Sequence, residues 1–205
     1  MKSQHLIPSL LVLLSLLFAK DLVAQLDTIH RVPPLHSRQN RDIEKHYLYL
    51  STPVSQSFNV TITDGNGNAF KNSPYNLSNS NSREILVGNG QSPSTELMIP
   101  YDSIARALKS SGLILKASEE FYVNVRYDGG AQGAALTTKG QAGEGREFRV
   151  GSMPQVSGSS RRNFVTSFQA TQDNTIIKVK DYNSGVAFES GLLNNRITKN
   201  KLTIK

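Results

Sequence analysis

The chain has 205 residues, with 23 lysines and arginines against 16 aspartates and glutamates, and a formal net charge of +7. This length fits one domain of ordinary size and excludes a large multidomain enzyme within the sequence. The absence of cysteine excludes a disulfide framework, a thiol nucleophile and a thiolate metal site.

Residues 1–24 have the organisation of a secretory signal peptide. Lys2 supplies a positive start, residues 6–19 are mostly apolar, and Ala24 precedes Gln25 at a cleavage site of the expected kind. The main apolar run, residues 10–19, which only Ser15 interrupts, is shorter than the roughly 20 residues that cross a bilayer. We therefore expect cleavage between Ala24 and Gln25, export of the mature chain, and no insertion of that chain into a membrane.

Removal of this segment takes away two lysines and one aspartate, which leaves a net charge of +6. The remaining positive residues are scattered, and no basic block alternates with aromatic residues as in single-strand nucleic-acid binders. Arg161 and Arg162 form a basic pair that fits a solvated surface better than the rim of an anion site. We expect a basic surface with no nucleic-acid partner.

Short segments that alternate apolar and polar residues, or are wholly apolar, predict strands along the mature chain. The segment 121–127 alternates most clearly, with Phe121, Val123, Val125 and Tyr127 on one face. The predicted strands are 46–50, 58–63, 84–87, 96–99, 113–117, 121–127, 148–150, 164–170 and 175–179, with a further strand beginning within 199–205. Many short strands separated by turn signals predict an antiparallel β-sandwich-like module in the all-β class.

Other segments predict turns, loops and one short helix. Residues 64–67 carry a dense turn signal that leads into a return at residue 69, and residues 74–82 read as an Asn- and Ser-rich loop. Residues 103–110 have helical spacing for one or two turns. The expected organisation is a signal peptide (1–24), an N-terminal segment that leads into the domain (25–45) and a β domain (46–205).

Two loop motifs have superficial matches to ligand sites. Residues 64–68 place oxygen-bearing side chains as a calcium loop does, but Ala69 and Tyr75 stand where an EF-hand needs glycine and glutamate. Residues 140–145 are glycine-rich, but they lack the Gly-Lys-Ser/Thr of a phosphate loop and no helix is predicted after them. A hairpin turn and a mobile loop are the better interpretations.

The candidate catalytic and metal-binding residues form no constellation in the sequence. The mature histidines, His30, His36 and His46, lack zinc-site spacing, and no Gly-x-Ser-x-Gly elbow is present. Glu119 and Glu120 fit a solvated turn between two strands better than an acid–base pair. We therefore expect no catalytic residue, no metal and no cofactor.

Several segments, in order, resemble the N-terminal domain family of IgGFc-binding proteins. They are YLYLSTPV (47–54), GLILKASEEFYVNVRY (112–127), AALTTKG (134–140), GREFRV (145–150) and RNFVTSFQATQDNTII (162–177). The resemblance spans roughly residues 46–205. It implies a β-rich binding module near the N-terminus of large surface proteins, including bacterial proteins associated with gliding motility, and it supplies no catalytic residues. Because residues 199–205 read as a strand cut off at its end, the chain is expected to be a fragment of a longer protein.

The expected function is a non-enzymatic adhesion or recognition module at the cell surface. Its ligand would be an extracellular protein or glycan, bound by loops such as 64–68 and 129–146 on a rigid β scaffold. The alternative is a secreted glycan-binding or glycan-active protein, and an enzyme of that class brings carboxylates to about 5–10 Å from each other in a cleft. The carboxylates to be considered for such a cleft are Glu96, Glu119, Glu120, Asp128 and Glu144. A structural spacer domain is a third reading, and the sequence does not separate it from a binder.

Overall fold

The structure is a computed structural model, and it describes residues 25–36, 45–89, 96–99, 108–129, 132–151, 166–181 and 201–204. The regular elements of these residues are a 3-10 turn at Gly140–Gly143 and the strands β1 Asp27–Val32, β2 Leu35–His36, β3 Lys45–Ser51, β4 Phe58–Asp64, β5 Tyr75–Leu77, β6 Arg83–Asn89, β7 Met98–Ile99, β8 Leu113–Gly129, β9 Gln132–Thr137, β10 Ile177–Lys180 and β11 Lys201–Ile204. The predicted signal peptide, residues 1–24, lies outside the described residues.

The predicted all-β fold is confirmed, in the form of a curled antiparallel sheet. Seven strands belong to this sheet: β5, β4, β8, β3 and β6 follow one another, and β1 and β9 also pair with β8. Two smaller sheets are formed by β10 with β11 and by β2 with β7. The arrangement of two packed layers in a sandwich stays a prediction. In the part of the chain that the structure describes, no helix is long and apolar enough to traverse a bilayer.

The 17-residue strand β8 organises the sheet because its two halves have different neighbours. Residues 113–116 pair with β4 on one side and with β1 on the other. Residues 122–128 pair with β3, and residues 124–129 pair with β9. One strand therefore joins two four-stranded regions, β5–β4–β8–β1 and β6–β3–β8–β9.

Two predicted strands, 113–117 and 121–127, are thus one strand, and the predicted turn at Glu119–Glu120 is wrong. Both glutamates lie within β8 with exposed side chains, at the point where the neighbours of the strand change. The Thr52 hydroxyl donates to the Glu120 carbonyl over 2.7 Å, which supplies a partner where β3 has ended. Charged side chains at this crossing point face water, so they do not require the backbone to turn.

The core lies on one face of the curled sheet, because successive residues of each strand point to opposite faces. Its buried apolar residues form one cluster. The members from the strands are Val32 of β1, Leu48 and Leu50 of β3, Phe58, Val60 and Ile62 of β4, Leu77 of β5, Ile85 and Val87 of β6, Met98 of β7, and Leu113, Leu115, Phe121, Val123, Val125 and Tyr127 of β8. We call the face that carries them the inner face and the opposite one the outer face.

Some predictions differ from the structure because a strand needs a partner as well as a pattern. Within the predicted loop 74–82, the short strand β5 pairs with β4 and buries Leu77. Conversely, residues 148–150 are not a strand, although they were predicted as one. Of the predicted strand 164–170, residues 166–170 are not a strand and residues 164–165 lie outside the described residues. Phe148 and Val150 are about half exposed, and none of the described strands pairs with them.

The N-terminal segment 25–45 was expected only to lead into the domain, yet it contributes β1 to the main sheet. Its inward residues are His30 and Val32, and the first of these is polar, which hides the apolar alternation. Of the predicted helix 103–110, residues 103–107 lie outside the described residues and residues 108–110 are not helical.

The core predicts a contrast between two nearby residues of β8, one buried and one exposed. We expect Phe121→Ala to lower the free energy of unfolding by about 3–5 kcal/mol, because the fully buried ring is replaced by a cavity. The matched control Glu119→Ala lies two residues earlier and is exposed, so its effect should stay within about 0.5 kcal/mol. Urea unfolding monitors both changes, and equal losses would contradict the assignment of the inner face.

Candidate ligand-binding face

The loop at residues 64–68 is a closed turn whose carboxylate is used internally. Asp64 Oδ1 accepts hydrogen bonds from the backbone N–H groups of Asn66, at 2.8 Å, and Asn68, at 2.9 Å, and Oδ2 accepts from the Asn68 side-chain amide at 2.9 Å. Partial burial raises the pKa of Asp64, but these hydrogen bonds outweigh it and hold the pKa below its ordinary value. The carboxylate therefore stabilises the turn, as the hairpin interpretation requires.

The predicted loop 129–146 is partly regular, since it contains β9 and the 3-10 turn Gly140–Gly143. Asp27 at the start of β1 anchors this turn: its carboxylate accepts from the Gln141 backbone N–H at 2.6 Å and from the Gln141 side-chain amide at 2.9 Å. Arg31 donates to Glu144 in an ion pair just beyond the turn. Residues 140–144, predicted as a mobile loop, are thus tied to β1 by two side chains.

The two ends of the predicted loop 129–146 lie at different distances from the loop 64–68. Asp64 is opposite Leu113 at the start of β8, whereas Gly129 and Gln132 form the last pair at its other end. At about 3.3 Å per residue, the length of β8 separates these ends by roughly 50 Å along the strand. The turn between β8 and β9 therefore does not share a ligand surface with residues 64–68, whereas Glu144 is held by Arg31, which is opposite Ile114 near the start of β8.

The candidate carboxylates of a glycan-active site are also spread along β8. Glu119 and Glu120 lie at its centre, and Asp128 lies near its end, where it accepts a hydrogen bond from Arg126 over 3.1 Å. The Glu96 carbonyl accepts from Gly112 at the opposite end. Glu144 is paired with Arg31. Glu96 and Glu144 therefore both lie towards the start of β8, far along the strand from Asp128, and the Glu144 carboxylate is engaged by Arg31.

His30 is a buried structural residue with both ring nitrogens occupied. Its Nε2 donates to the Phe121 carbonyl over 2.8 Å, so in the neutral ring Nδ1 accepts from the Thr138 hydroxyl. Burial lowers the pKa of His30, and the hydrogen bond to Phe121 opposes this only in part. His30 therefore connects β1, the centre of β8 and the residue that follows β9.

His46 lies on the inner face of β3, with its ring centroid 5.1 Å from that of Tyr127 in an edge-on contact. Burial lowers the pKa of His46 to about 4 and raises the pKa of the Tyr127 hydroxyl. His36 is in β2, where it pairs with Ile99 of β7. Across the described ranges, no group of three or more His, Cys, Asp or Glu residues is placed to hold a metal ion. The basic pair Arg161–Arg162 lies outside these ranges.

Aromatic and polar side chains come together instead on the outer face of β6, β3, β8 and β9. One row across the strands is Leu86, Tyr47, Arg126 and Ala135, and the next is Glu84, Tyr49, Asn124 and Thr137. Tyr122 follows on β8, opposite Ser51 of β3. The ring centroids of Tyr47 and Tyr49 are 5.9 Å apart, and the rings are tilted by 43°. We call Tyr47, Tyr49, Asn124 and Arg126 the tyrosine patch.

Neighbouring side chains hold the tyrosine patch in place and set its charge. The Asn124 side-chain amide donates to the Thr137 hydroxyl over 2.9 Å. Slight burial and the hydrogen bond and negative charge of Glu84 raise the pKa of Tyr49, which keeps it a neutral phenol. The hydrogen bond and charge of Asp128 raise the pKa of Arg126, whose side chain is 57% exposed. The patch therefore presents two partly buried aromatic rings beside an exposed, permanently charged guanidinium.

The sequence predicted the orientation of two residues of the tyrosine patch. The alternation in 121–127 placed Asn124 and Arg126 on the face opposite the core residues. What it did not reveal is that β3 lies directly beside that segment, so that Tyr47 pairs with Arg126 and Tyr49 with Asn124. Comparisons with protein-family models, with curated proteins and with solved structures found no match to this chain.

The buried histidines predict a loss of stability in mild acid. The folded-state pKa of His46, about 4, is below its ordinary value of 6.5, so the stabilisation is fully present above pH 6.5 and is lost as the pH falls towards 4. We expect the free energy of unfolding to decrease by about 2 kcal/mol between pH 7.5 and pH 4.5 from this residue. His30 adds a decrease of the same sign.

Urea unfolding at both pH values measures the effect, with His46→Phe as the matched variant. This variant keeps an aromatic ring against Tyr127 but binds no proton, so its loss between the two pH values should be smaller than that of the wild type. An unchanged pH dependence in His46→Phe would contradict the assignment.

Proposed function

We propose that the chain is an extracellular recognition module that binds its ligand on the outer face of the sheet, and that it acts without catalysis in adhesion at the cell surface. The observation that carries the proposal is the tyrosine patch. Tyrosines offer large and rigid contact surfaces with a polar tip, and tyrosine and arginine are enriched where binding energy is concentrated. The expected export of the chain and its resemblance to a family of surface-protein modules agree with this role.

The patch also suggests the chemistry of the ligand. Two neighbouring rings provide a surface for the apolar faces of sugar rings or for flat side chains, and Arg126 can donate two parallel hydrogen bonds to a carboxylate. Charge complementarity with a processed chain of net charge +6 favours an acidic ligand. We propose an acidic glycan as the first ligand class to test, with an acidic extracellular protein as the second.

The glycan-active alternative receives less support. Such an enzyme needs two carboxylates about 5–10 Å from each other, whereas Glu144 is engaged by Arg31 and Asp128 by Arg126, and Glu119 and Glu120 are adjacent exposed residues of β8. On the tyrosine patch, the neighbouring carboxylate of Glu84 is hydrogen-bonded to Tyr49. We therefore propose no catalytic activity for the chain.

Substitution on the patch tests the proposal. We expect the double variant Tyr47→Ala/Tyr49→Ala to weaken binding to an acidic glycan, or to an acidic protein ligand, by about tenfold or more, because both contact rings are removed. The wild type is first screened on immobilised acidic and neutral glycans and acidic proteins, and titration calorimetry then measures the dissociation constants of the variants for the positive ligand.

The matched control is Thr61→Ala/Thr63→Ala on the outer face of β4, in the other half of the sheet, and its affinity should be unchanged. Circular dichroism and urea unfolding establish that both variants are folded. Equal binding by the tyrosine variant and the wild type would contradict the proposed face.

The location of the native protein tests the proposed export independently. An antibody against residues 26–205 is applied to intact cells, to cells after surface proteolysis and to the medium. A protease-sensitive band at the cell surface supports the adhesion role, and a band larger than this chain supports its origin in a longer protein. Protein found only inside cells would contradict the proposal.

A further inference from the structure

The strand β9 has an open edge. Its only strand neighbour among the described residues is β8, and residues 133–137 are all exposed. Thr138 donates its backbone N–H to the Val123 carbonyl, which makes 138 and 123 a hydrogen-bonded pair. By the alternation of an antiparallel ladder, Ala134 and Leu136 also bond to β8, while the N–H and C=O groups of Gly133, Ala135 and Thr137 point away from it.

At other edge strands of the sheet, charged side chains donate hydrogen bonds to backbone carbonyl groups of the edge strand or lie on the strand itself. Lys71 donates to the Leu86 carbonyl of β6, and Arg83 donates to the Asn76 carbonyl of β5 over 2.7 Å. On β1, Arg31 is charged and Asp27 holds the 3-10 turn. Such features prevent the addition of a further strand. By contrast, β9 has the sequence Gln-Gly-Ala-Ala-Leu-Thr, with no charge and no proline.

Beside the edge of β9, part of the inner face is also left uncovered. Leu136 is opposite Val125, so it lies on the side of the core, yet 48% of its surface is exposed. Tyr127, opposite Ala134, has a buried hydroxyl with no hydrogen-bond partner among the described residues. A strand added beside β9 would cover Leu136 and extend the inner face by one strand.

We propose that this strand is β9 of a second copy of the chain, paired antiparallel about a twofold axis at Ala135. In this register Ala135 faces its own symmetry mate, Gly133 faces Thr137, and Leu136 faces Ala134. The three outward-pointing residues then form about six backbone hydrogen bonds. On the inner face, each large side chain meets a small one, so the edge is complementary to itself.

The charge of the chain limits where two copies can meet. Two processed chains, each with a net charge of +6, repel each other over most of their surfaces, whereas β9 is a neutral strand. The nearest charged residues on β8, Arg126 and Asp128, are paired with each other. Twofold pairing of one edge gives a closed dimer, since both open edges are used.

The dimer has a consequence for recognition, which rests on the proposed function. A twofold axis perpendicular to the sheet leaves both outer faces on the same side of the joined sheet. The two tyrosine patches would then face one surface, and a repeating ligand such as a polysaccharide would bind both. Linked sites of this kind increase the overall affinity without any new contact.

Sedimentation velocity on the processed chain, from about 5 µM to about 500 µM, tests the dimer. We expect a dimer fraction that rises with concentration. The variant Ala135→Pro removes an N–H that points away from β8, so it should keep the fold but weaken dimerisation by at least about tenfold. The control Ala135→Ser keeps that N–H and should dimerise as the wild type does.

A charge exchange distinguishes this register from other contacts. Because Ala135 faces its own mate, Ala135→Lys and Ala135→Glu should each be monomeric through like-charge repulsion, and their mixture should form a heterodimer. Circular dichroism confirms that each variant is folded. A monomeric wild type at every concentration, or a dimer that Ala135→Pro leaves unchanged, would overturn the proposal. A dimer without ligand binding would leave it standing while the proposed function fails.

Discussion

The structure depends on the pairing of one long strand with four neighbours. The residues of β8 alternate between the inner and outer faces in 113–116 and again in 121–127, so a single strand contributes core residues to both halves of the sheet. Loss of pairing in one half would expose apolar residues of the shared strand. This shared strand explains why the buried residues form one cluster and why the sheet curls around it.

Polar groups hold the centre of β8 where its neighbours change. His30 and Thr52 donate hydrogen bonds to the backbone carbonyl groups of Phe121 and Glu120. These bonds satisfy the two acceptors at the point where the neighbouring strands of β8 change. Burial lowers the pKa of His30 and favours its neutral form, which links the stability of this crossing point to pH. The half of the outer face that β6, β3, β8 and β9 form carries two tyrosines, whereas the other half carries threonines and a lysine. The proposed binding surface therefore occupies only one half.

The sequence was most informative where local pattern and tertiary pairing agree. The period-two alternation of 58–63 and 121–127 predicted β4 and the second half of β8, and the Asp-Gly-Asn-Gly signal predicted the turn that Asp64 closes. It was misleading at Glu119 and Glu120, because two adjacent charges resemble a turn although their side chains simply face water. It missed β1 because an inward histidine interrupts the apolar pattern, and it predicted a strand at 148–150, where none of the described strands is a partner.

The tyrosine patch could not be predicted for a similar reason. Tyr47 and Tyr49 are separated from Asn124 and Arg126 by more than seventy positions in the sequence, and only the register between β3 and β8 brings them together. Local patterns determine which face a residue is on, whereas the identity of its neighbour depends on pairing across the whole chain. The loops were therefore the natural candidates, although the sheet carries the aromatic surface.

Hydrogen exchange of the native protein, resolved by residue along β8, tests the role of the shared strand most directly. If β8 is one cooperative unit, hydrogen-bonded amides in residues 113–116 and in residues 122–128 should open with the same free energy, equal to that of global unfolding. Low concentrations of denaturant should lower both values by equal amounts. Exchange of one half through a separate opening of lower free energy, while the other half stays protected, would contradict this account.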